Sequence, residues 1–267
     1  MTGPAPAKIN LALVVGPLRD DGKHELLTVY QRLDLGDRIA VEPADETVVE
    51  GFAEDTIVRA ALDALGAPHG WRVRIEKEIP VAAGLGGGSS DAATALRLAN
   101  AQLDEPRELD ELAEFAAWIG ADVPFFLHDG PQLGTGDGTA LQPLDLPQDF
   151  VVLLLLPKNA RKPSTADVYA AFDERGGATG FDERTAILRA ALANVRRPRD
   201  LAALPPNDLA RSPLADDLRE HGAFRADVTG AGPTVYGLFH RKVDAERARR
   251  ALRGRGRFWL TIPAWYG

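Results

Sequence analysis

The sequence predicts an α+β fold, because segments with strand and helix patterns follow one another in mixed order along its 267 residues. Residues 71–76 alternate between apolar and charged side chains, as in a strand with one buried face. Residues 92–99 carry alanine and leucine at helical spacing. The apolar run 151–156 has the length of a buried strand and is far shorter than the roughly 20 residues that span a bilayer.

The remaining segments complete this architecture. Strands are expected at residues 7–15, 38–42 and 224–229, helices at 54–65, 109–119, 166–172, 183–192 and 214–221, and a final strand, helix and strand within 235–263. A glycine-rich turn is expected at residues 134–138, and Pro143 and Pro147 bracket a linker.

Composition argues against several kinds of function. The chain contains no cysteine, which rules out disulfides, thiolate metal sites and cysteine nucleophiles and fits a reducing compartment. None of its histidines stands at the spacing of a zinc site, so no structural metal is expected. A net charge of -8 argues against a nucleic-acid partner. No signal peptide or membrane span is recognisable, so a cytoplasmic protein is expected.

The strongest functional signal is a glycine-rich segment between a predicted strand and a predicted helix. Glycines let a backbone approach a ligand closely, and the helix start offers free N–H groups and the positive end of a dipole. Two serine hydroxyls add donors or a metal-facing oxygen. The segment therefore predicts a phosphate-binding loop, and its residues are Gly84, Leu85, Gly86, Gly87, Gly88, Ser89 and Ser90.

This loop differs from two widespread phosphate-binding patterns. No lysine precedes the serine as in a Walker A loop, and the sixth position from Gly84 is Ser89 rather than the glycine of a dinucleotide-binding fingerprint. The alternative is a flexible connector that ends in a serine N-cap. Such a connector does not need four glycines in five positions, which carry an entropic cost.

Three segments resemble, in order, the three motifs of the GHMP kinase superfamily. They are residues 6–11 (Pro-Ala-Lys-Ile-Asn-Leu), the glycine-rich loop, and residues 229–234 (Thr-Gly-Ala-Gly-Pro-Thr). Residues 21–26 with 30–34, 120–126, 164–169 and 207–209 are similar to segments of one branch, whose members phosphorylate a cytidine diphosphate-linked methylerythritol. The resemblance covers nearly the whole chain.

The resemblance implies both a fold and a reaction. The fold has a ribosomal-S5-like N-terminal domain and a ferredoxin-like C-terminal domain, here residues 1–147 and 148–267, with both ligands between them. The reaction is that of a small-molecule kinase of isoprenoid precursor synthesis, which transfers the γ-phosphoryl group of ATP, assisted by Mg²⁺, to a hydroxyl group. A monomer or a homodimer is expected.

Lys8 and Asp122 are the predicted catalytic pair. Asp122 lies in an apolar stretch, where a carboxylate must be paired or lose its charge. The resemblance places Lys8 beside it, so that Asp122 accepts the hydroxyl proton while Lys8 orients Asp122 and offsets developing charge. The alternatives are a helix N-cap before Pro124 for Asp122 and a solvated surface lysine for Lys8.

The resemblance also assigns binding roles to polar and glycine residues outside the loop. Asn10 would lie near the substrate and Lys77 near the nucleotide, while the turn containing Gly230 and Gly232 would close over the phosphates. By residue type alone, the alternatives are a polar strand residue, a surface charge and an ordinary loop.

The cytosine end of the substrate is assigned to three residues. His24 would hydrogen-bond the base edge, Tyr169 would stack on its face, and Thr165 would line the same pocket. By type alone, a turn histidine and a half-buried tyrosine are more common. The chain departs from the branch at Lys23, where tyrosine is usual, and at Asp137, where glutamate is usual. One side of the base would therefore lack an aromatic ring.

Two other functions share part of these observations. A GHMP kinase for mevalonate, homoserine or a sugar would keep the loop and Asp122 but would leave the segments around His24 and Tyr169 without a purpose. A non-catalytic nucleotide-binding regulator would need the loop and would not need Lys8.

Overall fold

The computed structural model describes residues 1–52, 57–158, 160 and 164–264. Its strands are β1 (Thr2–Leu18), β2 (His24–Ala44), β3 (Val48–Glu50), β4 (Gly70–Glu76), β5 (Gln132–Gly136), β6 (Ala140–Pro143), β7 (Val151–Pro157), β8 (Arg225–Val228), β9 (Val235–Phe239) and β10 (Gly256–Thr261). Its helices are α1 (Ile57–Leu65), α2 (Gly87–Asn100), α3 (Leu109–Ile119), α4 (Thr165–Glu174), α5 (Phe181–Ala193), α6 (Pro213–Glu220) and α7 (Lys242–Ala251). Within the described residues, no helix is both long and apolar enough to cross a membrane.

The first sheet is built around a long hairpin of β1 and β2. β2 also pairs with β4 and β5, which gives the order β3-β4-β2-β5-β6 with β1 beside β2. On β4, Trp71, Val73 and Ile75 are buried while the charged residues between them are exposed. These three side chains share a core with α1, α2 and α3. The alternation in the sequence therefore predicted the buried face correctly.

The second sheet has the strand order β10-β7-β9-β8, and all neighbouring strands are antiparallel. Helices separate β7 from β8, and α7 separates β9 from β10. This is the order of a ferredoxin-like β-α-β-β-α-β unit. Residues 152–155 of the central strand β7 are fully buried, because both of its faces are covered. The two sheets and their helices confirm the predicted two-domain α+β fold.

The two sheets pack through a shared core. Leu11 of β1 and Leu154 of β7 belong to the same buried cluster. The Tyr236 hydroxyl and the Arg225 guanidinium both donate to the carbonyl oxygen of Leu11, at 3.2 and 2.5 Å. Close packing of this kind resists displacement, so it holds the two sheets in one relative position. Any cavity between the sheets therefore has defined walls.

Several predicted element boundaries were too short. Residues 7–15 and 38–42 belong to strands of 17 and 21 residues. Backbone pairing continues through Gln31 and Arg32, polar residues whose side chains are buried. Residues 134–138 form the end of β5 and the turn into β6 rather than a turn alone. The predicted helix start at residues 54–56 lies outside the described residues.

Candidate active site

A cavity of about 710 Å³ lies where the β1–β2 hairpin, the glycine-rich loop and the turn after β8 meet. All of the predicted site residues except Ser90 line it. Its volume is in the range of small-molecule sites, roughly 300–1,000 Å³. Residues from widely separated segments thus converge on one candidate active site.

Two glycines of the loop occupy positions that other residues do not fit. Gly84 and Gly86 have φ angles of 81° and 73°, in the left-handed region that favours glycine. A Cβ at Gly84 would lie 2.6 Å from the carbonyl oxygen of Gly232, and one at Gly86 would lie 2.9 Å from both Lys8 Cγ and the Phe126 ring. The loop therefore packs directly against the opposite turn and against the predicted catalytic lysine.

The first turn of α2 faces the cavity with unpaired backbone donors. Gly87, Gly88 and Ser89 line the cavity, and N–H groups in a first turn have no intrahelical acceptor. They suit an anion such as a phosphate group. Ser90 does not reach the cavity: its side chain is fully buried, and its Oγ has no hydrogen-bond partner among the described residues. The structure therefore places Ser90 behind the loop.

Lys77 lines the cavity, but its ammonium group is held by two buried carboxylates. Lys77 Nζ lies 2.6 Å from Asp37 Oδ2 and 2.7 Å from Asp91 Oδ2. Burial lowers the pKa of Lys77, but hydrogen bonds to both carboxylates outweigh this and raise it. One lysine cannot neutralise two buried carboxylates. Burial accordingly raises the pKa of Asp91 to about 8, against the lowering effect of Lys77.

The raised pKa of Asp91 predicts a pH-dependent stability. Its folded pKa lies above the ordinary value of 3.8, so between about pH 4 and pH 8 the folded state binds more protons than the unfolded state. The free energy of unfolding should fall as pH rises through this window, by at most about 1.4 kcal/mol per pH unit. Asp91→Asn, which mimics the protonated acid, is expected to flatten this slope in denaturant unfolding at pH 5 and pH 8.

The control for this experiment is Asp63→Asn, which changes an exposed aspartate on α1. It is expected to keep the slope of the unmodified chain. An Asp91→Asn variant with the same slope as the control would show that Asp91 is ionised throughout the window.

Lys8 and Asp122 form an ion pair in the cavity. Lys8 Nζ lies 3.1 Å from Asp122 Oδ2 and donates to Asn10 Oδ1 at 2.9 Å. Lys8 is buried, which contradicts the surface alternative, and one third of the Asp122 side chain is exposed. Asp122 is no helix cap either, because the short 3-10 helix Pro124–Leu127 follows Val123 and has no side-chain cap.

Asn10 connects this ion pair to both sheets. Asn10 stands two residues after Lys8 on β1, so the two side chains project from the same face. Its amide nitrogen Nδ2 donates to Thr28 Oγ1 at 2.8 Å, and its backbone N–H donates to Thr229 Oγ1 at 3.1 Å. Thr229 begins the turn that contains Gly230 and Gly232. The packing of the second sheet thus helps to position Lys8.

Tyr30 lines the candidate site, although the sequence analysis assigned it no role of its own. It is buried, lines the cavity, and holds its ring centre 5.3 Å from Lys8 Nζ. Burial raises the pKa of the Tyr30 hydroxyl well above its ordinary value, and Asp122 raises it further. A Cβ at Gly134 or Gly138 would lie 2.7 or 2.8 Å from Tyr30 atoms. These glycines, visible in the sequence, were the signal that a large side chain lies beside them.

His24 and Tyr169 meet at the other end of the cavity. Their ring centroids are 4.7 Å apart with an interplanar angle of 33°. His24 Nε2 lies 2.9 Å from Asp173 Oδ1 of α4. Thr165, the first residue of α4, lines the same end. With Nε2 held by Asp173, Nδ1 of His24 and the neighbouring ring of Tyr169 together suit a planar polar group such as a nucleobase.

The two residues that depart from the branch pattern pair with each other. Lys23 Nζ donates to Asp137 Oδ2 at 2.5 Å, which joins the β1–β2 turn to the β5–β6 turn. Asp137 also accepts hydrogen bonds from the backbone N–H and the hydroxyl of Thr139. Burial raises the pKa of Asp137, but these donors outweigh it and hold that pKa below its usual value. At this point the cavity is therefore lined by the Lys23–Asp137 ion pair.

The cavity combines a phosphate-type loop at a helix start with a lysine–carboxylate pair. This arrangement suits a small-molecule kinase. Comparison with known proteins agrees. Residues 52–130 match the family model described as the GHMP kinases N terminal domain, and residues 212–257 match the GHMP kinases C terminal model. The protein is therefore a GHMP-type small-molecule kinase.

Individual relatives narrow this class. The chain is 37% identical to the 4-diphosphocytidyl-2-C-methyl-D-erythritol kinase of Desulfitobacterium hafniense (strain Y51), with 96% of this chain and 93% of the relative covered. A crystal structure of 4-(cytidine 5'-diphospho)-2C-methyl-D-erythritol kinase matches with a TM-score of 0.77 at 34% identity, covering 99% of this chain and 100% of that one. A crystal structure of mevalonate kinase has a TM-score of 0.73 at 13% identity, covers 98% of this chain and 99% of its own, and shares the fold. The chain belongs to the family of 4-diphosphocytidyl-2-C-methyl-D-erythritol kinases.

Proposed function

We propose that this kinase transfers the γ-phosphoryl group of ATP to the 2-hydroxyl of 4-diphosphocytidyl-2-C-methyl-D-erythritol, in the methylerythritol phosphate route to isoprenoid precursors. The Lys8–Asp122 ion pair carries the proposal, because it shares one cavity with the glycine-rich loop and with His24. With phosphates at the loop and the cytidine group at His24, the acceptor hydroxyl lies between them, next to the ion pair.

Each part of the cavity has a separate task in this reaction. Asp122 accepts the proton of the acceptor hydroxyl, and its partly exposed carboxylate is within reach of a bound ligand. Lys8 is held by both Asp122 and Asn10, so its charge is already oriented before the substrate binds. The transition state of phosphoryl transfer is loose, so catalysis depends mainly on position and electrostatics. The loop N–H groups and the turn at Gly230 hold the phosphates.

Mg²⁺ enters the proposal together with the ATP phosphates. Among the described residues, no group of three or more histidine, aspartate or glutamate side chains could hold a metal ion alone. A site for Mg²⁺ commonly takes one or two protein oxygens and completes its shell with phosphates and water. Ser89, which lines the cavity, fits that donor set. When bound, the ion would offset charge on the transferring group.

The acceptor is tested with a panel of GHMP kinase substrates in a coupled ADP-release assay. We expect the highest kcat/KM for the diphosphocytidyl substrate, because the His24–Tyr169 contact and Thr165 suit a nucleobase. Mevalonate, homoserine and a hexose have no aromatic ring to fill that end. A higher kcat/KM for any of these three would contradict the proposed acceptor while leaving the kinase class intact.

Lys23→Tyr is expected to tighten binding of the diphosphocytidyl substrate. The variant loses an ion pair whose lysine is half exposed, worth about 0–1 kcal/mol. It gains a ring opposite Tyr169, and stacking of a base on an aromatic side chain is worth about 1–3 kcal/mol. We expect the substrate to bind more tightly by about 0.5–2 kcal/mol, which lowers KM roughly 2- to 30-fold. The value of kcat should be nearly unchanged, since the contact is remote from the reacting hydroxyl.

Lys23→Ala is the matched control, because it breaks the same ion pair without adding a ring. It should leave KM close to that of the unmodified enzyme. A rise in KM for both variants, largest at low salt, would instead identify Lys23 as a ligand of the substrate diphosphate and would contradict the stacking explanation.

We further infer the organisation of the working enzyme. The division into residues 1–147 and 148–267 falls between the last strand of the first sheet and the first strand of the second. The absence of cysteine from the sequence supports action in the reducing cytoplasm. Because all proposed site residues come from one chain, a monomer or a homodimer would be active.

A further inference from the structure

A second cavity, of about 620 Å³, shares a wall with the candidate active site. It is bordered by the start of β1, the middle of β2, the residues after β4 and the helix α2. Lys77 lines both cavities. Phe126 also lines the second one, and its ring lies so close to the loop that a Cβ at Gly86 would be 2.9 Å away. The proposed function assigns no ligand to this space.

Arg32 is the most deeply buried cation of the second cavity. Its side chain is 3% exposed. It donates to the carbonyl oxygens of Phe126, at 3.1 Å, and of His128, and one amino group reaches the exposed carboxylate of Asp129 at 3.4 Å. Its Nε has no hydrogen-bond partner among the described residues. Burial lowers the pKa of this guanidinium, although the neighbouring Asp129 carboxylate acts in the opposite direction.

Arg97 is a second cation on the same cavity. It lies on α2, is half-buried, and forms no ion pair with any described residue. Its charge acts on Arg32 and contributes to lowering the pKa of Arg32. Two guanidinium groups that line one cavity favour the binding of an anion there.

The carboxylates of the cavity do not supply that anion. Asp37 is fully buried, and both of its oxygens are occupied: Oδ2 by Lys77, and Oδ1 by the backbone N–H groups of residues 78 and 79. Asp34, Glu76 and Glu78 are exposed to solvent. The buried positive charge of Arg32 therefore lies on the inner side of the cavity.

We propose that the second cavity binds a small phosphate monoester, with its phosphate group held between Arg32 and Arg97. Arg97 forms no ion pair with a described residue, so its planar fork of N–H donors can match two phosphate oxygens at once. The donors of Arg32 are largely occupied, and Arg32 contributes mainly its positive charge. The volume exceeds what a bare phosphate needs and suits a small organic molecule. Pro4, Leu33 and Phe126 supply an apolar wall for the organic part.

A ligand at this place would touch residues that also border the active site. α2 presents its N-terminus to the phosphate loop and Arg97 to the second cavity. Lys77 and Phe126 form the common wall. The site is thus positioned for a phosphorylated metabolite that regulates the kinase.

The test is a calorimetric titration of glycerol 3-phosphate, and separately of inorganic phosphate, into enzyme saturated with Mg²⁺ and a non-hydrolysable ATP analogue. The analogue occupies the phosphate loop, and binding of the probe at the empty acceptor end of the active site would not be weakened by Arg97→Gln. We expect saturable binding that Arg97→Gln weakens by about tenfold or more, the effect of losing one charge-assisted hydrogen-bonding partner. Arg249→Gln, at an exposed arginine of α7, should bind as the unmodified enzyme does.

Tm and affinity for the ATP analogue should be unchanged in both variants, which serves as the check on folding. Tighter binding of the ester than of phosphate would identify an organic phosphate as the ligand, and the reverse order would identify inorganic phosphate. No saturable binding, equal binding by Arg97→Gln, or an equal loss in Arg249→Gln would overturn the proposal. The titration involves no turnover, so an error in the proposed acceptor would not affect its result.

Discussion

Replacing Asp122 by asparagine is expected to lower kcat by about 10²–10⁴ with little change in affinity for ATP. Asparagine keeps the size of the side chain but cannot accept the hydroxyl proton or form an ion pair with Lys8, which lies 3.1 Å away. The substitution leaves the glycine-rich loop and its phosphate donors unaltered, so nucleotide binding should persist. The measurements are steady-state ADP release with the diphosphocytidyl substrate and titration with an ATP analogue.

Lys8→Ala should lower kcat nearly as much as Asp122→Asn does. In a loose transition state the attacking hydroxyl is barely deprotonated, so orientation and charge matter as much as basicity. The two variants should differ by less than about tenfold, or 1.4 kcal/mol. Asp145→Asn, at an exposed aspartate, is the control and should turn over normally. Normal turnover by Asp122→Asn would end its assignment as the proton acceptor.

Gly86→Ala is expected to lower kcat/KM for ATP by about 10²-fold. The added methyl group would lie 2.9 Å from Lys8 Cγ and from the Phe126 ring. Phe126 is buried and cannot move away easily, so Lys8 and the loop backbone must shift. A displacement of about 1 Å in a catalytic group can cost about 10²-fold in rate. The measurement is kcat/KM for ATP at a saturating concentration of the acceptor.

The matched control for this variant is Gly130→Ala. Gly130 has a φ of 67° and open space where a Cβ would stand. The positive φ should therefore lower the free energy of unfolding of both variants by about 1–2 kcal/mol. The loss of kcat/KM should appear in Gly86→Ala alone. Equal activity of the two variants would mean that the loop tolerates a side chain and does not position Lys8.

Local patterns predicted the elements and the loop because their causes are local. The alternation at Trp71, Val73 and Ile75 follows from the two faces of a strand, and the glycines before α2 follow from a backbone with positive φ. The length of β2 could not be predicted in this way. In the sequence, the polar residues Gln31 and Arg32 suggest a loop. In the structure, they are buried within β2 and pair with β1.

The sequence alone determined the fold class, the family resemblance and the segments that form the site, including Lys8 and Asn10 on one face of β1. Only the tertiary structure decided which charges meet. Lys23 and Asp137 stand 114 positions apart, and Asn10 and Thr229 stand 219 apart. Lys77 meets two carboxylates rather than standing free, and Ser90 turns away from the cavity. The physical reason is desolvation: a buried charge must find a partner, and which partner is within reach depends on how the sheets pack.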